Sequence, residues 1–443
     1  MYKKLLFTLS LLLVGLLSKA QEVRQLSLEQ AIEYALEHNP EIVNAKLAEQ
    51  ISDGKVSETI ATGMPQINGG IDLTNNFELP TSFLPGTFFN PPIEGEVPVQ
   101  FGTRYSGSAT LSLSQMIFDG SFFVGLEGAK TYKELSTKEV VKTRIDVAEI
   151  VAKSYYAVLV SEFRLDLIDK NYGRLDTLLQ ETTEMYKSGF AEKIDVSRSK
   201  VQFNNIKVQK SNAAQSLQIT RANLSYQLGL PVTEPLVLTD ELNAAMFDDS
   251  AEESFTYSDR IEYSILQTNQ ELAFLDKKLN NVRYMPSLDL YATVGANLGT
   301  GVTANIFDLT NEWYNFGLIG IRMKIPIFDG LQKHYVNQQK KLRINQIENS
   351  FDQMERSMDL QVRDSKVKLD NAIAILKSQK ENMEISKEVY EVTKEKYQEG
   401  VGSNLEVINA DADYKQAQTN FFVALYNALI AKVDYKKSIG KLL

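Results

Sequence analysis

The sequence contains no cysteine and only two histidines, His38 and His334, among 443 residues. Without cysteine the chain cannot form disulfides, thiolate zinc sites, iron–sulfur clusters or a cysteine nucleophile. Two histidines are too few for a histidine-rich metal site and leave little for a Ser-His-Asp relay. The P-loop, the HExxH pattern and the Rossmann glycine pattern are also missing from the sequence. We therefore predict a protein that is not an enzyme and that binds no metal and no cofactor.

Basic patches and long apolar stretches are also scarce. The chain has 57 acidic and 47 basic residues, a net charge of −10, and no clustered basic surface that would favour a nucleic-acid partner. A transmembrane helix needs about 20 apolar residues. The nearest candidate beyond the N-terminus, Phe421 to Val433, is shorter and is interrupted by Asn427. We therefore expect no membrane-spanning helix and no nucleic-acid binding.

The N-terminus has the pattern of a secretory signal. Lys3 and Lys4 precede an apolar run from Leu5 to Leu17, and Ser18-Lys19-Ala20 supplies small residues for signal peptidase. A transmembrane anchor is the alternative, but a bilayer needs about 20 apolar residues, more than this run provides. We predict that residues 1–20 are a signal peptide and that the chain is exported.

The chain contains an internal repeat. Residues 21–230 form the first predicted repeat, 231–257 an acidic segment between the repeats, and 258–443 the second repeat. The shared landmarks, given with their second copies, are Met64-Pro65 and Met285-Pro286, Ile117-Phe118-Asp119-Gly120 and Ile327-Phe328-Asp329-Gly330, Tyr186-Lys187-Ser188-Gly189 and Tyr397-Gln398-Glu399-Gly400, and Leu228-Gly229 and Ile439-Gly440.

Two segments interrupt or separate the repeats. The offset between copies falls from 221 to 210 residues, which locates an insertion at Phe77 to Phe101, rich in proline and phenylalanine. We expect this insertion to face outside the cell. The acidic segment lacks the ligand spacing of an EF-hand, so we interpret it as a linker packed on the outside of the helices.

Each repeat contains two stretches in which apolar and polar residues alternate, and this period of two predicts β-strands. The stretches run about 10–12 residues, the length that a tilted strand needs to cross a bilayer. Their polar faces consist mainly of Ser, Thr and Asn, as in a channel lumen. The alternative is a half-buried sheet in a soluble domain. The predicted apolar positions include Ile67, Ile71, Leu73, Ala109, Leu111, Leu113, Ala292, Val294, Ala296, Ile319, Ile321 and Met323.

Long helices are predicted for the remainder. Ser121 to Tyr186 and Leu331 to Tyr397 contain no proline and little glycine, and each would be roughly 100 Å long. Gly189, and Gly400 with Gly402, mark the predicted reversals. A heptad seam follows each reversal. Its members are Ala410, Tyr414, Ala417, Phe421, Ala424, Ala428 and Ala431 in the second copy, and Ser199, Phe203, Ile206, Lys210, Ala213, Leu217, Thr220 and Leu224 in the first.

Four membrane strands cannot close a barrel alone, because open strand edges are not tolerated in lipid. Two chains would supply eight strands and three would supply twelve. Barrels of about eight strands are filled by side chains, whereas larger barrels leave a lumen. The small polar residues on one strand face favour the trimer.

With this order and duplication, the sequence resembles the TolC-like outer-membrane efflux factors. The resemblance rests on the two Ile-Phe-Asp-Gly motifs, the helix–hairpin–long-helix order, and the pattern Tyr397-x-x-Gly400-x-Gly402-x-x-Leu405-Glu406-Val407-Ile408-Asn409-Ala410. It implies an α+β membrane protein: a homotrimer with a 12-stranded β-barrel in outer-membrane lipid, joined to a periplasmic α-helical barrel of antiparallel coiled coils. It also implies that the tip meets a periplasmic adaptor (membrane-fusion) protein and an inner-membrane pump.

The resemblance also implies roles for residues at the periplasmic tip. The acidic rings that narrow the family's entrance match Glu406 and Asn409, so the second ring would be uncharged. A tyrosine–aspartate hydrogen bond between inner and outer helices matches Tyr397 and Asp195. A second tie, from arginine to threonine, matches Gly402 and Ile194, which cannot make it. A solvated helix carboxylate is the alternative for Glu406.

Trp313 and Tyr314 precede the fourth strand and are interpreted as interfacial aromatic anchors. We therefore predict a passive exit duct for efflux or type I secretion, gated at its periplasmic tip and powered by an inner-membrane partner. The alternative is a periplasmic coiled-coil adaptor or structural protein without its own pore. A monomeric porin is disfavoured because one chain has only four predicted strands.

Overall fold

The computed structural model describes residues 24–242, 254–300 and 312–443. The predicted signal peptide and part of the acidic segment lie outside the described residues. The chain divides into two compact units. Unit 1 takes the described residues within Met1–Glu49, Leu135–Gln267 and Glu348–Leu443, and unit 2 those within Gln50–Glu134 and Thr268–Ile347.

The helices are α1 Leu28–His38, α2 Pro40–Thr62, α3 Gly120–Lys187, α4 Lys193–Leu228, α5 Ile261–Val282, α6 Gln332–Gln398 and α7 Asn404–Ser438. The strands are β1 Arg24–Leu26, β2 Gln66–Asn75, β3 Thr81–Pro85, β4 Glu96–Gln100, β5 Tyr105–Phe118, β6 Leu236–Leu238, β7 Ser287–Thr300 and β8 Tyr314–Lys324. The order α2-β2-β5-α3-α4 returns as α5-β7-β8-α6-α7. The long helices are present as predicted, and β2, β5, β7 and β8 form one four-stranded sheet. That these strands cross a membrane, and the repeat boundaries, stay predictions. In the described part of the chain, no helix is both long and apolar enough to cross a bilayer.

The core of unit 1 is formed by apolar faces of its helices. The predicted seam of α7 is buried along its whole length, from Ala410 at 7% exposure to Ala428 at 0%. Small side chains at these positions let neighbouring helices approach closely. The apolar members of the core include Ala31, Ile42, Val147, Val151, Tyr155, Leu224, Leu228, Phe421, Leu425 and Leu429.

The acidic segment contributes to this core, which corrects its interpretation as an external linker. Leu236–Leu238 forms β6, which pairs in parallel with β1. Leu236 is 4% exposed. Asp240 accepts hydrogen bonds from the Tyr155 hydroxyl at 2.9 Å and from the Leu28 amide at 2.7 Å. The sequence pattern missed this strand because it has only three residues.

Glycine closes each repeat at a point of close backbone approach. Gly229 has φ 77°, and a Cβ there would lie 2.7 Å from the His38 carbonyl oxygen. Gly440 has φ 76°, and its Cβ would collide with the Asp259 carbonyl group. Only glycine avoids both the left-handed strain and the collision. In the first copy this contact falls where α1 ends and Pro40 begins α2, a break that the sequence analysis did not predict.

The main sheet of unit 2 has the strand order β2-β5-β7-β8 and is antiparallel throughout. Its register aligns Ile67, Leu113, Ala292 and Ile319 in one row across the four strands. Because side chains alternate along a strand, this alignment gathers the predicted apolar sets on one face. The predicted faces are confirmed.

The insertion after β2 is a hairpin in which β3 pairs with β4. The Asn76 amide donates to the Arg104 carbonyl at 2.7 Å, and its side chain donates to the Thr103 carbonyl at 3.0 Å, which fixes the hairpin base. Phe77 and Phe88 are 89% and 76% exposed. The orientation of this hairpin toward the outside stays a prediction.

Replacing Tyr155 by Phe should lower the free energy of unfolding by about 1–2 kcal/mol, because a hydrogen bond from a buried hydroxyl to the half-buried Asp240 carboxylate is lost. Burial and the bond to Asp240 raise the pKa of Tyr155, so its hydroxyl stays protonated and donates. Tyr156→Phe is the matched control, since no partner of the Tyr156 hydroxyl is found among the described residues. Denaturant unfolding in detergent compares the variants; equal midpoints would contradict the prediction.

Candidate functional site

The turns α3–α4 and α6–α7 in unit 1 share one local construction. Gly189 and Gly400 adopt φ values of 81° and 78°. After them, the Phe190 amide donates to the Met185 carbonyl at 2.8 Å, and the Val401 amide to the Lys396 carbonyl at 3.0 Å. This left-handed C-cap ends each long helix and supplies hydrogen bonds to carbonyl groups of its last turn. Both predicted reversals are confirmed.

Gly402 has a different reason to be glycine. Its φ is not positive, in contrast to the predicted reversal role. A Cβ there would lie 3.2 Å from the Tyr397 amide nitrogen and 3.3 Å from the Lys396 carbonyl carbon. Gly402 therefore lets the turn pack closely against the end of α6.

The next helix begins with a reciprocal cap in both turns. The Ser403 hydroxyl accepts from the Glu406 amide at 3.3 Å, and the Glu406 carboxylate faces the Ser403 amide at 3.5 Å. In the other turn the Asp195 carboxylate accepts from the Glu192 amide at 3.3 Å. Asp195 and Glu406 thus hold equivalent positions, 211 residues apart. Both carboxylates satisfy amides that the helix start leaves free.

This capping role changes the expected tie between Tyr397 and Asp195. The Tyr397 hydroxyl accepts a long hydrogen bond from the Asn404 side chain at 3.5 Å. Asp195 is used by its own helix cap and faces Arg198 at 3.6 Å. In the described chain these two side chains do not bond to each other. The reason is local, because an acidic side chain three residues after the N-cap residue accepts a hydrogen bond from the amide of that residue.

The predicted ring residues lie on an accessible face. Glu406 and Asn409 are both exposed and are three residues apart on α7, so they share one helix face. The turns also expose apolar side chains: Phe190 is 81% exposed, Val401 78% and Ile194 50%. This end of unit 1 therefore offers two apolar turn tips beside a polar helix face.

A buried charged group lies one to two turns further along α7. Asp411 is 1% exposed. Its carboxylate is 3.8 Å from the Arg174 guanidinium on α3 and 2.6 Å from the Lys415 ammonium. The Arg174 guanidinium stacks over the rings of Tyr390, at 4.5 Å, and Tyr414, at 5.2 Å. Burial raises the pKa of Tyr390 despite the opposing effect of Arg174. We call Arg174, Tyr390, Asp411 and Tyr414 the Arg174 cluster.

The cluster belongs to a buried polar row on α7. Asn404, Asp411 and Gln418 follow one another at intervals of seven residues, at 4%, 1% and 5% exposure. The Asn171 side chain joins the row to α3, donating to Gln418 at 2.7 Å and accepting from Arg174 at 2.6 Å. Within the part of the chain that the structure describes, Asn404 Oδ1 and Gln418 Nε2 lack hydrogen-bond partners, and no neutral group donates to the Asp411 oxygens. This row was not predicted, although its spacing of seven residues is visible in the sequence.

The sheet of unit 2 assigns different faces to the two predicted anchors. Trp313 shares its alternation with the apolar face, and its ring lies 3.2 Å from the position of a Cβ on Gly107. Tyr314 begins β8 with the opposite alternation, and its hydroxyl donates to Glu312 at 3.0 Å. Trp313 therefore lies on the apolar face and Tyr314 on the polar face, and their role as interfacial anchors stays a prediction.

Two edges of the same sheet are unpaired within the described residues. β2 pairs with β5 alone, and β8 pairs with β7 alone. The apolar side chains of these edge strands are exposed: Ile71 at 76%, Ile319 at 75% and Ile321 at 65%. An exposed apolar face with open edges is typical of surfaces that contact a membrane or another protein chain.

Comparisons with known proteins agree on one family. The sequence profile of the outer membrane efflux protein family matches residues 31–230 and 266–441. Outer membrane protein TolC of Vibrio cholerae is 24% identical over 226 residues, 50% of this chain and 51% of that relative. The chain thus spans about half the length of the curated relative that it matches.

Solved structures share the fold. VceC of Vibrio cholerae matches with a TM-score of 0.67 and 16% identity, covering 93% of this chain and 96% of that one. CusC matches with a TM-score of 0.73 and 14% identity, covering 93% and 92%. The open-state MtrE channel of Neisseria gonorrhoeae matches with a TM-score of 0.67 and 16% identity, covering 93% and 88%.

Proposed function

The chain belongs to the outer membrane efflux protein family, as the resemblance to TolC-like factors predicted, and from that premise we propose that it is a passive exit duct through the outer membrane. The observation that carries the proposal is the sheet of unit 2. Its four long antiparallel strands have one exposed apolar face and, within the described residues, two unpaired edges. An apolar face of this kind is stable when it contacts the hydrocarbon chains of lipid.

Closing the sheet requires other copies of the chain. Each strand edge carries backbone amide and carbonyl groups. Because lipid offers them no hydrogen bonds, these groups must pair with another strand. The strands alternate in direction from β2 to β8, so β8 of one copy would meet β2 of the next in antiparallel pairing. Three copies give a 12-stranded barrel, which is wide enough for a lumen lined by the small polar faces. We therefore propose a homotrimer.

The helices of the trimer would lie in the periplasm and form a helical duct. The exposed Phe190 and Val401 at the turns offer an apolar docking surface for a periplasmic adaptor protein. The sequence has no nucleotide-binding motif, so an inner-membrane pump would supply the energy. The proposed system is thus tripartite, for efflux or type I secretion.

The entrance of the duct would be narrowed at the tip by Glu406 and Asn409. Their shared exposed face fits an inward-facing position on α7. Three copies of Glu406 around one axis would concentrate negative charge and attract cations. The duct would be gated where α7 approaches the axis.

The proposal is tested first by native mass spectrometry of the detergent-extracted protein. A trimer that needs detergent supports the shared barrel. A monomer, or a protein that is soluble without detergent, would contradict the shared barrel and favour a periplasmic coiled-coil adaptor.

The apolar sheet face gives a more specific prediction. Ile71→Lys should prevent membrane insertion, because a lysine facing lipid near the midplane costs about 2–4 kcal/mol. Asn68→Lys is the matched control on the opposite face of β2, where the lysine would enter the lumen. The measurement is the fraction of trimer retained in outer membranes after an alkaline wash. Equal retention of both variants would mean that the apolar face does not contact lipid.

The tip gives a second prediction. Glu406→Gln should lower the cation preference of the channel, because it removes three charges from the entrance while glutamine keeps the helix cap. The measurement is the reversal potential in planar bilayers under a KCl gradient. Glu399→Gln, an exposed acid in the same turn, is the control. A reversal potential that Glu406→Gln leaves unchanged would remove this residue from the entrance.

A further inference from the structure

Asp411 is a carboxylate whose charge is balanced only by neighbouring cations. It is 1% exposed, and within the described residues no neutral group donates a hydrogen bond to either of its oxygens. A buried charge of this kind is stable only when opposite charges compensate it. Lys415, at 2.6 Å, is on the same helix and moves together with Asp411. Arg174, at 3.8 Å, is on α3 and therefore links two helices.

Arg174 is itself held in place by its surroundings. Asn171 accepts its hydrogen bond at 2.6 Å, and the rings of Tyr390 and Tyr414 lie against its guanidinium. Tyr390 belongs to α6 and Tyr414 to α7. The guanidinium thus contacts three helices at once. Because cation–π contacts and ion pairs strengthen when water is excluded, the Arg174 cluster favours one arrangement of these helices.

The cluster lies next to the proposed entrance. Asp411 follows Asn409 by two residues and Glu406 by five. Five helical residues span only about 7.5 Å, so a shift of α7 at Asp411 is passed on to Glu406. The hydrogen bond expected between Tyr397 and Asp195 is not made, which leaves the Arg174 cluster as a charged link between α7 and its neighbours at this end.

We propose that the ion pair between Arg174 and Asp411 positions α7 and thereby holds the tip closed. This inference rests on the proposed function for its effect on the duct. Its structural part, that the pair keeps α7 packed against α3, holds for the protein in detergent whether or not it conducts.

The first experiment reads the packing of α7 without any channel activity. Val407 is 0% exposed, and the chain has no cysteine, so Val407→Cys introduces a single buried thiol. Maleimide labelling of the detergent-extracted protein should be slow in this parent. Adding Asp411→Asn should speed labelling by about tenfold or more, because loss of one partner exposes the packed face to local opening. Asp413→Asn, an exposed acid two residues away, should leave the rate unchanged.

Arg174→Gln gives an independent second variant if Asp411→Asn does not assemble. It should speed labelling of Val407→Cys to a similar extent, and the double variant should be no faster than the single ones, because both changes break one interaction. Labelling rates equal to the parent in the assembled variants would overturn the inference, as would fully additive effects.

Conductance then connects the tie with the gate. In planar bilayers, Asp411→Asn should raise the conductance several-fold above that of the unsubstituted protein and of Asp413→Asn. Faster labelling without a change in conductance would overturn the gating part of the inference. An unsubstituted protein that forms no channel would instead contradict the proposed function, and the labelling rates would still test the tie.

Discussion

A strand edge exposes backbone amide and carbonyl groups, and in lipid these groups must be paired. This constraint governs the sheet of unit 2. Its register places one apolar face on four strands, but β2 and β8 still end the sheet with open edges. A single chain therefore cannot complete the structure that its apolar face demands. The proposed trimer, with its lumen and duct, is one way to meet this requirement.

The helical turns illustrate how local and distant interactions compete for the same side chains. Asp195 and Glu406 stand at equivalent positions, and each is used by the cap of its own helix. Capping is short-range and needs no other helix, so it forms wherever the sequence places an acid at that position. A tie between helices must then use other residues. The Arg174 cluster has the burial and the charge for this role.

Buried polar groups in a helical interface reduce stability but restrict the arrangements that helices can adopt. Asn404, Asp411 and Gln418 form such a row of buried polar groups on α7, near the turn between α6 and α7. Among the described residues, Asn404 Oδ1 and Gln418 Nε2 of this row lack hydrogen-bond partners, although the neighbouring apolar side chain of Val407 is fully buried. The interface beside the turns therefore combines close apolar packing, as at Val407, with buried polar groups.

Periodicity in the sequence determined the long helices, the four strands and the two faces of the sheet. These features depend on the positions of side chains along one segment, which the sequence displays directly. The glycine reversals at Gly189 and Gly400 were equally visible. Strand β6 and the helix break at Pro40 were not predicted, since each is stabilised by residues from distant parts of the chain. The location of Trp313 and Tyr314 on opposite faces of the sheet was decided by the residue at which β8 begins. The partners of Asp195, Tyr397 and Asp411 were decided only by the tertiary structure, because hydrogen bonds and ion pairs depend on which helices pack together and in which register.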